Sequence, residues 1–214
     1  MQNGGKCMKN PWETIKLSDY ENHMKLDSVM QLQTMNNMMK KQFNSYPIKT
    51  IMILGVAGGN GLEHIDTQKI YKVYGVDINN EYLNICAVRY RNLKDVFECI
   101  CTDLTAENII LPYADMVVAN LLIEYIGYDC FKNIIEQVKP LYISCIIQVN
   151  TDDSFVSDSP YIHAFDDLDR VHHHIQNNEL VNSMKGAGYN LTEQAEQILP
   201  NGKKLVQLDF RHKF

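Results

Sequence analysis

Apolar residues along this chain follow two periods, and the period switches repeatedly after residue 27. Segments 51–54, 71–76, 96–101, 113–120 and 141–149 are short and rich in aliphatic side chains, the composition of strands covered on both faces. Segments 80–90 and 128–138 instead carry apolar residues three and four apart, and 178–185 reads as a last helix. An earlier amphipathic helix is expected over 27–43. Val29, Met30, Leu32, Met35, Met38, Met39 and Phe43 share its apolar face, and Asp27 or Ser28 is its expected cap. Asn79 is placed to cap the helix over 80–90. Pro47 and Pro112 precede strands, Lys139-Pro140 stops a helix, and Gly186-Ala187-Gly188 closes another. Extended runs 189–199 and 203–210 flank Pro200-Asn201-Gly202, and Asn-Gly between such runs is a strong hairpin signal. Strands alternating with helices predict an α/β fold, a mostly parallel sheet with helices on both faces and an antiparallel hairpin at the C-terminal end.

The first strand runs into a turn in which four of the seven residues from 55 to 61 are glycine and one is alanine. Backbone without side chains can take positive φ and lie against a ligand. A short helix over 60–66 should follow, its first amides facing that ligand. The second strand ends at Asp77. In an open α/β sheet the carboxyl ends of neighbouring strands line one crevice, which sets Asp77 beside the glycine turn, where a carboxylate can accept both hydroxyl hydrogens of a ribose. A dinucleotide site has the same parts, and Asp77 follows Gly55 by 22 positions, close to the roughly 20 expected there. The glycine pattern does not complete, however. Counted from Gly55 it meets Ala57 and Asn60, and counted from Gly59 it meets Gly61 and then His64.

The stretch is similar to motif I of the class I S-adenosylmethionine-dependent methyltransferases, here Gly55-Val56-Ala57-Gly58-Gly59 with alanine at the middle position. Asp77-Ile78 resembles the acid and apolar residue after that family's second strand, and Asp103-Leu104 those after its third. The resemblance covers about 46–214. It implies a Rossmann-like seven-stranded sheet of order 3-2-1-4-5-7-6, with residues 1–45 as an N-terminal arm and cap helices. It also implies S-adenosylmethionine as cofactor and S-adenosylhomocysteine as product. Gly55, Val56, Ala57, Gly59 and Asn60 would lie along the cofactor, Asp77 on the ribose, Asp103 on the adenine amino group, and Ile78 and Leu104 against the ring. Asn120, Leu121, Glu124 and Tyr125 fall where the family faces the sulfonium and the acceptor, and Tyr20 and His23 where it often sets a helix over the cofactor. One departure is chemical. The family's acid two residues before the first glycine is Ile53 here, so another residue must meet the cofactor's ammonium group.

Charge narrows the partner. A formal net charge of −6 without a basic face argues against nucleic acid and for a small-molecule acceptor. Six cysteines (Cys7, Cys86, Cys99, Cys101, Cys130, Cys145) form no C-x-x-C pair, and most sit in apolar stretches, as in a reducing compartment. With no membrane-length apolar run, the expectation is a cytosolic protein.

Candidate chemistry lies in the second half. Glu124 is a candidate acid or base for the acceptor, and His163 or one of His172, His173 and His174 a candidate base, since imidazole titrates near neutral pH. Adjacent histidines point in different directions and cannot all face one ion, so no metal is expected. The irregular stretch 151–169, with Phe155, Tyr161 and Phe165 among acids and serines, should set substrate choice together with the N-terminal helix. Two alternatives share the nucleoside-binding parts: a nicotinamide-dependent oxidoreductase and a cofactor-binding protein without catalysis.

Overall fold

Seven strands form one sheet in a computed structural model of the chain, which describes residues 9–150 and 154–213. Cys7, Asp152 and Asp153 lie outside the described residues. Five strands are parallel: β1 (Thr50–Leu54), β2 (Lys72–Asp77), β3 (Phe97–Cys101), β4 (Met116–Asn120) and β5 (Tyr142–Val149). The hairpin β6 (Tyr189–Ile198) and β7 (Lys204–His212) joins antiparallel through β7 to β5. The order is β3-β2-β1-β4-β5-β7-β6, as the family resemblance implies.

Strand alternation divides the core in two. Met52 and Leu54 of β1, Val117 and Ala119 of β4, and Ile143, Cys145 and Ile147 of β5 face one layer. There they meet Phe131, Ile134 and Ile135 of α4 (Ile123–Val138) and Leu180 and Met184 of α5 (Asn177–Gly186). Ile51, Ile53, Met116, Val118 and Ile146 face the other layer. Met35, Met38, Met39 and Phe43 of α2 (Gln31–Asn44), Leu83 and Cys86 of α3 (Asn80–Arg89) and Met24 of α1 (Leu17–Met24) cover it. Among the described residues no helix is long and apolar enough to cross a membrane.

Register sets the working edge of the sheet. Leu54 pairs with Val76 on one side and Ala119 on the other, so Gly55, Asp77 and Asn120 leave the sheet at one level.

Three local expectations are corrected. The helix expected from residue 27 starts at Gln31: Val29 and Met30 both donate their amides to the Leu26 carbonyl, Met30 takes φ 52°, and neither Asp27 nor Ser28 caps it. The helix expected over 60–66 is one 3₁₀ turn, Leu62–His64, entered through Gly61 at φ 89°, too short to present a row of amides. β3 is an edge strand whose Cys99 and Cys101 are exposed, whereas Cys86 and Cys145 are buried.

A polar network crosses the α2 side of the sheet beneath this edge. Gln42 and Asn120 exchange two amide hydrogen bonds (2.9 and 3.0 Å), and Gln42 Nε2 also donates to Ser144 Oγ at 2.7 Å. Ser144 donates to Asp209, whose fully buried carboxylate also accepts from Tyr46 Oη (2.8 Å) and Gln207 Nε2 (3.0 Å). Ser144→Ala leaves Asp209 Oδ1 short of a donor and should destabilise the fold by roughly 1–3 kcal/mol. Urea unfolding should show a lower midpoint with an unchanged slope.

Candidate active site

The turn after β1 is fastened to the tip of β2. Gly55 and Val56 donate their amides to the Val76 carbonyl (2.8 and 3.1 Å), and Ala57 donates to Asp77 Oδ2 at 2.9 Å. Asp77 Oδ1 accepts the Asn79 amide at 2.9 Å. Asp77 is 8% exposed, and burial raises its pKa above the usual carboxylate range against the pull of these amides. The Ile78 amide pulls the same way, so three backbone N–H groups share the carboxylate. Gly55 takes φ 68°, and Ala57 takes φ 46°, a conformation unusual outside glycine and held here by the bond to Asp77.

Other glycines of the turn serve packing. A Cβ on Gly59 would meet Tyr90, Cys86 and Leu62 within 2.9 Å, and one on Gly58 would meet Glu21 Oε1 at 2.3 Å and Arg89 at 2.8 Å. Arg89 donates to the Gly58 carbonyl (2.9 Å) and through both Nη atoms to Glu21 (2.6 and 3.1 Å), drawing α1 down over the turn.

Three spaces with lining residues in common open at this edge. The first takes in about 680 Å³ with open solvent included. Gly55, Ala57, Asp77 and Ile78 line one side and Asp103, Leu104, Asn120, Leu121 and Leu122 others. Asp103 Oδ1 accepts from the amide and hydroxyl of Thr105 (2.8 and 2.7 Å). A narrower cleft continues past Val56 and Asn60 between Ile53, Met35, Met39 and Glu21. The remaining pocket, about 570 Å³ with open solvent included, shares Trp12, Tyr20, Leu121 and Tyr125 with the first.

Glu124 stands in this last pocket. It lies in the first turn of α4, which Gly127 (φ 74°, ψ 170°) separates from the rest of the helix. Oε1 accepts the Gln148 amide at 2.8 Å, whereas Oε2 is buried without a partner. At 5% exposure, burial pushes the carboxyl up to about 7, with the Gln148 amide opposing. Tyr20 and Tyr125, both also raised by burial, feel its charge and stay protonated.

The structure brings most of the sequence candidates together. Gly55, Ala57, Asp77, Ile78, Asp103, Leu104, Asn120 and Leu121 line the first space, Val56 and Asn60 the cleft, His23 and Glu124 the far pocket, and Tyr20 and Tyr125 both. Gly59 lines none of the three, being packed under Tyr90. Asn120 reaches the wall with its amide already committed to Gln42. His163 is not at the site: its side chain is 89% exposed and pairs with Asp166 on the surface. His172 occupies the pocket instead, stacked on Phe155, with burial holding its pKa below the usual range. His173 donates its backbone amide to the Glu124 carbonyl. Among the described residues no group of three or more potential ligands is arranged to hold a metal.

Trp12, Gln31 and Gln148 went unread as site residues. Gln31 and Gln148 carry no sequence signal, since their side-chain bond (2.8 Å) forms only in the fold. Trp12 carries a weak one as the chain's single tryptophan. Its backbone carbonyl accepts from Asn79 Nδ2 (2.9 Å), while its own indole N–H is buried without a partner.

No protein-family model matches the chain, and no curated protein matches its sequence. Solved structures match its fold. The N-methyltransferase NodS from Bradyrhizobium japonicum WM9, in complex with S-adenosyl-L-homocysteine, matches with a TM-score of 0.67 at 10% identity, over 96% of this chain and 100% of that one. The methyltransferase domain of bacterial CtHen1-C matches with 0.62 at 16% identity, over 93% and 100%. The cyclase SpnF matches with 0.63 at 10% identity, over 86% and 82%. The chain has the Rossmann-like fold of the class I S-adenosylmethionine-dependent methyltransferases.

Proposed function

We propose that this protein transfers a methyl group from S-adenosylmethionine to a small-molecule acceptor. The observation that carries the reading is the pairing of the slot at Gly55 and Asp77 with a second pocket across the shared wall of Trp12, Tyr20, Leu121 and Tyr125, that second pocket being lined by Glu124, whose buried Oε2 has no partner. Solved proteins of this fold include methyltransferases, one of them with S-adenosylhomocysteine bound.

Asp77 would hold the ribose hydroxyls, Asp103 the adenine amino group, and Ile78 and Leu104 the faces of the ring. Backbone at Gly55 and Ala57 admits the sugar closely, and Val56 and Asn60 border the methionyl end. Among the described residues Glu21, bridged to Arg89, is the carboxylate lining the cleft on that side, and it would take the place of the acid missing at Ile53. When bound, S-adenosylmethionine supplies a methyl carbon activated by a sulfonium. The protein's own work is to orient the acceptor, keep water out with α1 and the segment carrying Phe155 and Phe165, and accept a proton at Glu124 Oε2. The small far pocket and the acidic net charge favour a small acceptor over a nucleic acid, and a cytosolic setting is consistent with the free thiols.

Asp77→Ala should weaken S-adenosylhomocysteine at least tenfold, about 1.4 kcal/mol, because two hydrogen bonds to a carboxylate are lost. Calorimetry giving equal affinities for wild type and variant would refute the assignment.

Glu124 should show opposite pH effects on rate and on stability. A carboxyl that rises from 4.5 to about 7 on folding binds its proton more tightly in the folded state. Its contribution to stability is therefore present below about 4.5 and is lost as pH rises through about 7, a difference on the order of 3 kcal/mol. Turnover should rise over the upper part of the same range as the base ionises. Denaturation of wild type and Glu124→Gln at pH 5 and pH 8 isolates the first effect, since only wild type should weaken through this group. The variant should lose at least tenfold in turnover with S-adenosylhomocysteine affinity within about twofold. Equal losses in both would remove Glu124 from the chemistry.

A further inference from the structure

The far pocket pairs aromatic faces with one unsatisfied negative group. Trp12 meets Tyr20 edge-on (centroids 5.6 Å apart) and Tyr125 likewise (4.9 Å). Tyr125 continues edge-on to His172 (5.9 Å), which lies flat on Phe155 (3.8 Å), while His23 tilts over Phe165 (4.9 Å). All seven rings line the pocket. Among the described residues Glu124 is the carboxylate lining this space, 5% exposed with Oε2 unpartnered, and no lysine or arginine lines it. The other described groups facing Glu124 do not supply a cation. Burial favours neutral imidazole at His23 and His172, and keeps Tyr20, Tyr125 and, beneath them, Cys145 protonated. Lys203, whose charge reaches both histidines, donates its Nζ to the Ser154 carbonyl outside the pocket.

A buried carboxylate without a partner is costly, and aromatic faces attract positive charge. One ligand class answers both. We infer that the acceptor is a small primary or secondary amine, held as its ammonium between Glu124 Oε2 and the faces of Trp12, Tyr125 and Phe155, with its apolar body against Met24, Val156 and Leu168. An alcohol leaves the ionised carboxylate uncompensated, and an anion is repelled by it. In the chemical step one N–H proton would pass to Glu124 Oε2, leaving the electron pair of that bond on nitrogen; this pair would form the new C–N bond as the methyl–sulfur bond breaks, the electrons of the latter leaving on sulfur. The choice of amine as acceptor rests on the methyl-transfer reading, but binding of the cation does not. The two therefore fail separately.

The test is calorimetry of the full chain with three amines (phenethylamine, isoamylamine and cyclohexylamine) and the alcohol of the same skeleton for each, at pH 8, with and without S-adenosylhomocysteine. At least one amine should bind ten times more tightly than its alcohol, and Glu124→Gln should erase that preference. Trp12→Leu, which leaves the carboxylate in place, should weaken the same amine about threefold or more. S-adenosylhomocysteine affinity of Glu124→Gln, a residue of the far pocket alone, reports that the fold and the cofactor slot are intact, and the urea midpoint and circular dichroism of Trp12→Leu, which also borders that slot, report its fold. If no amine is preferred over its alcohol, or if Glu124→Gln keeps the preference, the inference is overturned. If the preference holds but S-adenosylhomocysteine does not bind, the pocket is a cation site and the methyl-transfer reading is the one that falls.

Discussion

A buried carboxylate must find donors, and Asp77 finds them in the amides of Ala57 and Asn79. The first of these bonds ties the turn after β1 to the tip of β2, and the second starts the loop into α3. The pairing of Leu54 with both Val76 and Ala119 brings the three strand ends level, so one carboxylate can organise the whole edge. Loss of that bond would free a non-glycine residue from a conformation it does not hold by itself, and the slot would lose its floor.

The fold and the slot at its strand ends were largely legible in the sequence, because both depend on features close together in the chain. Aliphatic runs, glycines after the first of them and acids after the next two are local marks of a parallel sheet and its carboxyl edge. What the sequence hid is the pairing of side chains across the fold. Asn120 looked free for a ligand, but its amide is held by Gln42, 78 positions away. Asp27 and Ser28 looked like a helix cap, but the chain makes a left-handed turn at Met30 first. His163 and His172 were indistinguishable by type, and only the path of the segment after β5 sends one into solvent and the other onto Phe155. Glu124 drew notice by its place after β4, while its unpartnered oxygen depends on burial that no spacing encodes.

Electrostatics separates the two ends of the site. Asp77 and Asp103 are surrounded by amides and hydroxyls, which suit uncharged hydroxyl and amino groups of a ligand. Glu124 has one amide and an aromatic surround, so its charge state responds to what enters. The same sheet carries a cyclase as well as methyltransferases among solved structures, so its strands do not dictate chemistry; the walls above the strand ends do. Here those walls come from α1, the start of α4 and the segment around Phe155 and Phe165.

The bridge from Arg89 to Glu21 passes over a residue with no side chain. A β-carbon at position 58 would fall 2.3 Å from Glu21 Oε1 and 2.8 Å from Arg89 Nη1, so these two flexible side-chain ends would have to swing aside and the bridge would loosen. A descendant that replaced Gly58 would give up that polar tie between α1 and the turn, and would lean on the buried side chains of Leu17 and Met24 to keep the helix in place.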